Sequence, residues 1–190
     1  LSAAKTGYSC SVTPSVLTVT SNATVGVSCD AIHYTISGNA NDAIVSAAGS
    51  SFDNTVSISA GSFSLKAKYG DVVTLTAAKV GNVCSVNVSP VLVGGDFNFA
   101  NVSCNLITYA VHVTNASAAS ISIDGSSAYN ATNPNNSASF DFFAKYGDAI
   151  SLSASKNGYK CTVSASAMTV TGDVGVDVTC LQEPYKISIT

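Results

Sequence analysis

LTAAKVGNVCSV, residues 75–86, has two near copies elsewhere in the chain: LSAAKTGYSCSV at 1–12 and LSASKNGYKCTV at 152–163. Each copy runs on to a second cysteine, from Cys10 to Cys29, Cys84 to Cys104 and Cys161 to Cys180. Five positions beyond each second cysteine stands a tyrosine: Tyr34, Tyr109 and Tyr185. Upstream of the second and third copies lie GSFSLKAKYGDVVT and ASFDFFAKYGDAIS. Agreement at so many positions, with a period of about 75 residues, identifies a tandem repeat.

Within a repeat the apolar residues alternate. Val25, Val27 and Cys29 are separated by Gly26 and Ser28, and Val174, Val176, Val178 and Cys180 follow the same rule. Cys10 with Val12, Tyr34 with Ile36, and Tyr109 with Val111 and Val113 obey it too. A period of two puts such residues on one face of a strand, and turn signals such as YGD, AGS, GGD and TGD interrupt the pattern at short intervals. No stretch has a helical period. The expected fold is all-β: small antiparallel β-sandwiches in tandem.

Composition narrows the function classes. Apolar residues make up 46%, enough for real cores, while only 10% are charged, so the surface must be built from Ser, Thr, Asn, Ala and Gly. That suits an extracellular or cell-surface protein better than a cytosolic enzyme. The net charge is −3, and the eight basic residues are all lysine and scattered, which excludes nucleic acid as a partner. No apolar run has the length of a membrane span and no signal peptide opens the chain; a start at Leu1 instead of Met suggests a processed product or a fragment.

The six cysteines include no C-x-x-C and no Cys/His cluster, so neither a metal centre nor a redox motif is expected. Three local disulfides are: Cys10 with Cys29, Cys84 with Cys104, Cys161 with Cys180. Each closes a loop that contributes about 3 kcal/mol in the chain-entropy model and implies an oxidising compartment.

The run YTISG, GSFSL, YGDVVTLTAAKVGNVCSV and NVSC resembles the tandem immunoglobulin-like repeats of bacterial secreted and cell-surface proteins. The likeness covers nearly the whole chain, although the glycine of YTISG is missing from YAVHV and YKISI, and Lys-x-Gly replaces the usual Pro-rich approach to the first cysteine. It implies a surface architecture of immunoglobulin-like modules, one disulfide each, and brings no catalytic residues. The boundaries are expected at 1–29 (the back half of a module), 30–104, 105–180, and 181–190 (the opening strand of a further one).

Candidate chemistry is sparse, and no cofactor is expected. His33 and His112 occupy non-corresponding positions and no nucleophile motif accompanies them, so no catalytic site is assigned. Asp71 and Asp148 in matching YGD turns, and Asp96 and Asp173 in matching GD turns, have the chemistry of calcium ligands, but turn capping is the expected role. Phe140, Phe142 and Phe143 read as a core strand with one ring at a module contact. Six sequons, at Asn22, Asn87, Asn101, Asn115, Asn130 and Asn135, compare with roughly four expected by chance and mark candidate N-linked glycan sites; Pro90 disfavours the one at Asn87.

Leu1 aligns with Leu75 and Leu152, so the first 29 residues read as a half-module; Tyr185, Ile187 and Ile189 share one face of an opening strand. The leading expectation is a structural subunit of an extracellular filament, copies joining head to tail as the final strand of one completes the half-module of the next. The alternative is a stalk or adhesin fragment that binds a glycan or a protein, cut from a longer array.

Overall fold

The structure, a computed structural model, describes residues 1–51, 53, 55–116, 118–128 and 137–184, the side chain of Phe99 excepted. All regular structure among them is β-strand. The chain divides into two compact units, Leu1–Asn105 and Leu106–Thr190.

Unit 1 begins with a two-stranded antiparallel sheet of β1 (Tyr8–Thr13) and β2 (Gly26–Ala31), closed by the Cys10–Cys29 disulfide. Two further sheets follow. One has the order β5-β6-β3-β10-β8, from β3 (His33–Asn39), β5 (Ser57–Ser59), β6 (Ser62–Lys68), β8 (Asn82–Val86) and β10 (Phe97–Leu106). The other joins β4 (Ile44–Ala48), β7 (Val72–Ala78) and β9 (Val91–Leu92). Their alternating side chains meet in one core: Ile36, Phe63, Leu65 and Val102 from the larger sheet, Val45, Val73, Leu75 and Val91 from the smaller.

Unit 2 repeats the plan. One sheet has the order β13-β11-β17-β15, from β11 (Thr108–Thr114), β13 (Phe140–Lys145), β15 (Tyr159–Val163) and β17 (Val174–Gln182). The other has β12 (Ser120–Asp124), β14 (Ala149–Ser155) and β16 (Ala167–Thr169). Val111, Val113, Phe142, Val176 and Val178 face Ile121, Ile150 and Leu152 across the core.

The larger sheet of each unit is mixed where the sequence suggested a purely antiparallel one; the other sheets are antiparallel. β3 pairs parallel with β10, and β11 parallel with β17. The opening and closing strands of a unit are separated by all the strands of the facing sheet, which gives the chain length enough to return in the same direction. The disulfides join neighbouring strands of one sheet: β1 to β2, β8 to β10 and β15 to β17.

The Lys-x-Gly turn that marks each copy has one geometry throughout. Gly7, Gly81 and Gly158 have φ of 75°, 70° and 76°, a region that L side chains rarely occupy. Tyr8, Asn82 and Tyr159 donate backbone hydrogen bonds to the carbonyls of Lys5, Lys79 and Lys156, three residues earlier. At the first copy a second constraint appears: the ring of Tyr69 lies so close to Gly7 that a Cβ there would come within 2.0 Å of it. The Gly7 carbonyl also accepts the Ile32 N–H, which ties the β1–β2 hairpin to the start of β3.

Candidate functional site

Alignment of the three copies sets up an internal comparison of burial. Leu75, Val93, Ala100 and Val102 of the second copy, and Leu152, Val170, Val176 and Val178 of the third, are all core residues exposed by 7% or less. Their counterparts in the first copy are Leu1, Val19, Val25 and Val27, which are 66%, 73%, 36% and 59% exposed. No residue from 1 to 31 is buried. The β1–β2 hairpin thus carries the apolar pattern of a core sheet, and none of the described residues buries it. Burial of an aliphatic side chain of this size contributes about 1.5–3 kcal/mol. A bare two-stranded sheet is at best marginally stable in water, and here the disulfide and the Gly7 contacts hold it. Among the described residues no strand pairs with the edge of β2 away from β1; in the complete units the corresponding edge of β10 or β17 carries β3 or β11.

The acidic turn residues have structural partners. Asp71 accepts hydrogen bonds from the Ser51 N–H (2.9 Å), the Ser51 hydroxyl (2.7 Å) and the Lys68 N–H (2.9 Å). Asp148 does the same with Ser127 and the Lys145 N–H. Desolvation raises each carboxyl, but these hydrogen bonds, with Lys68 or Lys145 nearby, outweigh it and hold the pKa below the ordinary value. Asp96 and Asp173 each accept one backbone N–H of the opening strand, from Thr35 and Ala110, at 2.8 Å. Asp53 is exposed and is lowered by the Thr55 N–H and side chain. Among the described residues no group of three or more His, Cys, Asp and Glu is placed to hold a metal ion.

The serine partners were not singled out by sequence reasoning. Gly-Ser-Ser occurs at 49–51 and again at 125–127, and that recurrence is the signal. Gly49 and Gly125 have positive φ, and a Cβ on either would come within 2.2 Å of the Val72 or Ala149 carbonyl. Buried Ser50 and Ser126 donate to the Lys66 and Phe143 carbonyls.

The remaining candidates are dispersed. His33 is exposed at the start of β3. His112 is exposed, its Nδ1 2.7 Å from the Asp141 carboxylate. Phe140 and Phe142 are core residues and Phe143 is 54% exposed. Asn22 lies exposed between β1 and β2; Asn87, Asn101 and Asn115 are exposed as well. Asn87 Oδ1 accepts the Asn101 N–H at 2.7 Å, and Asn115 Nδ2 donates to Asp177 at 3.3 Å. Asn130, Asn135, Tyr185, Ile187 and Ile189 lie outside the described residues. An open trough along Ile44, Ala77 and Lys79 has its counterpart along Ser120, Ala154 and Lys156 in unit 2, so it belongs to the repeated frame. Among the described residues no helix is long and apolar enough to cross a membrane.

Compared with known proteins, the chain matches no family model and no curated sequence.

Proposed function

We propose that this chain is a structural subunit of an extracellular filament, in which the open face of β1 and β2 is covered by a second copy. The carrying observation is the repeat itself: residues 1–29 carry the closing-strand pattern of a module and residues 185–190 the opening-strand pattern. The occupant best matched to the edge of β2 is another opening strand of the repeat. Residues 185–190, YKISIT, carry the same alternation as YTISGN in β3 and YAVHVT in β11, the strands that flank the counterparts of β2. A contact between one end of a subunit and the other end of the next is heterologous, and propagates as a fibre.

The units fit a reading as immunoglobulin-like modules, residues 30–104 and 105–180, each with one disulfide. Two facing sheets around a single core favour it; the disulfide within one sheet, and not between two, is a departure from the antibody pattern. Three disulfides and a surface poor in charge suit an oxidising, extracellular setting. N-linked sugar at exposed Asn22, Asn87, Asn101 and Asn115 would add to the solubility of that surface.

Negative-stain electron microscopy of the non-reduced protein, beside a variant lacking residues 185–190, tests the assembly. Filaments from the whole chain that vanish on truncation are expected. Filaments that persist after truncation put the contact elsewhere. Monomers from both favour the stalk or adhesin reading.

A further inference from the structure

We propose that the outer face of the larger sheet in unit 1 carries a binding site for one neutral sugar ring, held between the Lys66 ammonium and the Asp53 carboxylate. The site goes beyond the filament reading and does not depend on it.

β3 and β6 turn Ile36, Phe63 and Leu65 into the core, so Thr35, Ser64 and Lys66 stand on the opposite face. Thr35 and Lys66 are register partners, and β5 sets Ser57 beside Ser64. With Asp53 and Thr55 from the loop before β5, they line an open recess of about 310 Å³. That is the low end of the range for small-molecule sites, the scale of a single sugar ring.

The acid is fixed to the strand that bears the lysine. The Asp53 N–H donates to the hydroxyl of buried Ser50 at 3.2 Å, and that hydroxyl donates to the Lys66 carbonyl at 3.0 Å. The Thr55 N–H donates to Asp53 Oδ1 at 2.8 Å. Among the described residues Lys66 Nζ has neither a hydrogen bond nor an ion pair, so its three donors face the recess unused.

Unit 2 shows that the frame does not require this chemistry. Counting from Tyr34 and Tyr109, the counterparts of Thr35, Ser64 and Lys66 are Ala110, Asp141 and Phe143. Ser126 donates to the Phe143 carbonyl as Ser50 does to that of Lys66, so the backbone is alike and the outward side chains differ. Where the same strands differ inwardly, a steric cause is present. A Cβ on Gly38 would come within 1.4 Å of the Ala100 carbonyl, whereas its counterpart Val113 is fully buried. The outward positions, exposed or half-buried, carry no such packing demand.

Donors and acceptors decide the ligand class. A sugar hydroxyl both donates and accepts, so one can donate to Asp53 while its neighbour accepts from Lys66, with the hydroxyls of Thr35, Ser57 and Ser64 between them. Asp96, which accepts the Thr35 N–H at 2.8 Å, puts a second carboxylate beside the recess. Two carboxylates against one ammonium disfavour an anion such as a sialylated sugar. The lining is polar and open to water, so a single site is expected to bind weakly and to be read best with a multivalent probe.

The whole chain is passed over surfaces displaying many copies of mannose, galactose, glucose or N-acetylglucosamine, with a sialylated surface for comparison. Retention on at least one neutral surface, released by the free sugar, is expected. Lys66→Gln and Asp53→Asn each lower it roughly tenfold, the cost of losing a charged hydrogen-bond partner. Phe143→Ala, in unit 2, leaves it unchanged. Thermal melts matching the parent show that the variants fold, and Thr35→Val probes the same recess from within β3 if loss of Asp53 loosens its loop. Retention that survives these substitutions places the sugar elsewhere and overturns the site. Retention on no neutral surface, or on the sialylated one alone, overturns the proposal, and release by free glycine but not by sugar overturns the ligand class.

Discussion

Asp71 and Asp148 hold the same place in the two complete repeats, each stapling a Gly-Ser-Ser segment to the turn before the next strand. Both carboxyls titrate below the ordinary value of 3.8 in the fold. A depressed folded pKa means the unfolded chain binds the proton more readily, so the staple's contribution is complete above 3.8 and disappears as pH falls through the lower folded value. The double variant Asp71→Asn, Asp148→Asn is therefore expected to melt below the wild type at neutral pH, with the gap closing in acid; thermal melts across that range check it. Gly38 makes a sharper demand, since its neighbour is rigid backbone. Gly38→Ala is expected to destabilise unit 1 by about 1–3 kcal/mol, measured by denaturant titration, as overpacking does elsewhere. The matching exchange in unit 2, Val113→Ala, leaves a small cavity instead.

At the scale of elements, alternation and turn residues made the strands legible in the sequence, because a two-residue period has one physical reading. Val176, Val178, Ile36 and Phe142 face the cores as their periodicity requires. Strand direction was not legible. Alternation is the same for parallel and antiparallel neighbours, and the pairing of β3 with β10 depends on a connection through the other sheet. The staples were missed for a related reason: Ser51 and Asp71 are brought together where β4 and β7 pair within one sheet, and neither residue is unusual locally. Each disulfide ties the last strand to its hydrogen-bonded neighbour, locking that edge of the sheet. Replacing Cys161 and Cys180 by alanine is expected to lower the stability of unit 2 by about 3 kcal/mol, the chain-entropy value for a loop of this length, with unit 1 unaffected; the check is a two-transition melt.

For the whole molecule, the decisive property is an inequality among copies of one sequence pattern. Among the described residues the same positions form core twice and surface once. Val27 is exposed in the single chain, so Val27→Asp is expected to change its stability by no more than about 0.5 kcal/mol while abolishing assembly, as read by sedimentation velocity. Substituting its counterpart Val178, 2% exposed, instead places a charge in the core of unit 2 and unfolds that unit. The most direct measurement is amide hydrogen exchange over residues 24–31 as protein concentration rises. If a second copy covers this hairpin and adds a strand to the open edge of β2, exchange there slows with concentration, in the same range that sedimentation shows growth. Equal exchange rates in dilute and concentrated protein, or growth with no protection of β2, contradict the assignment of this face as the joint.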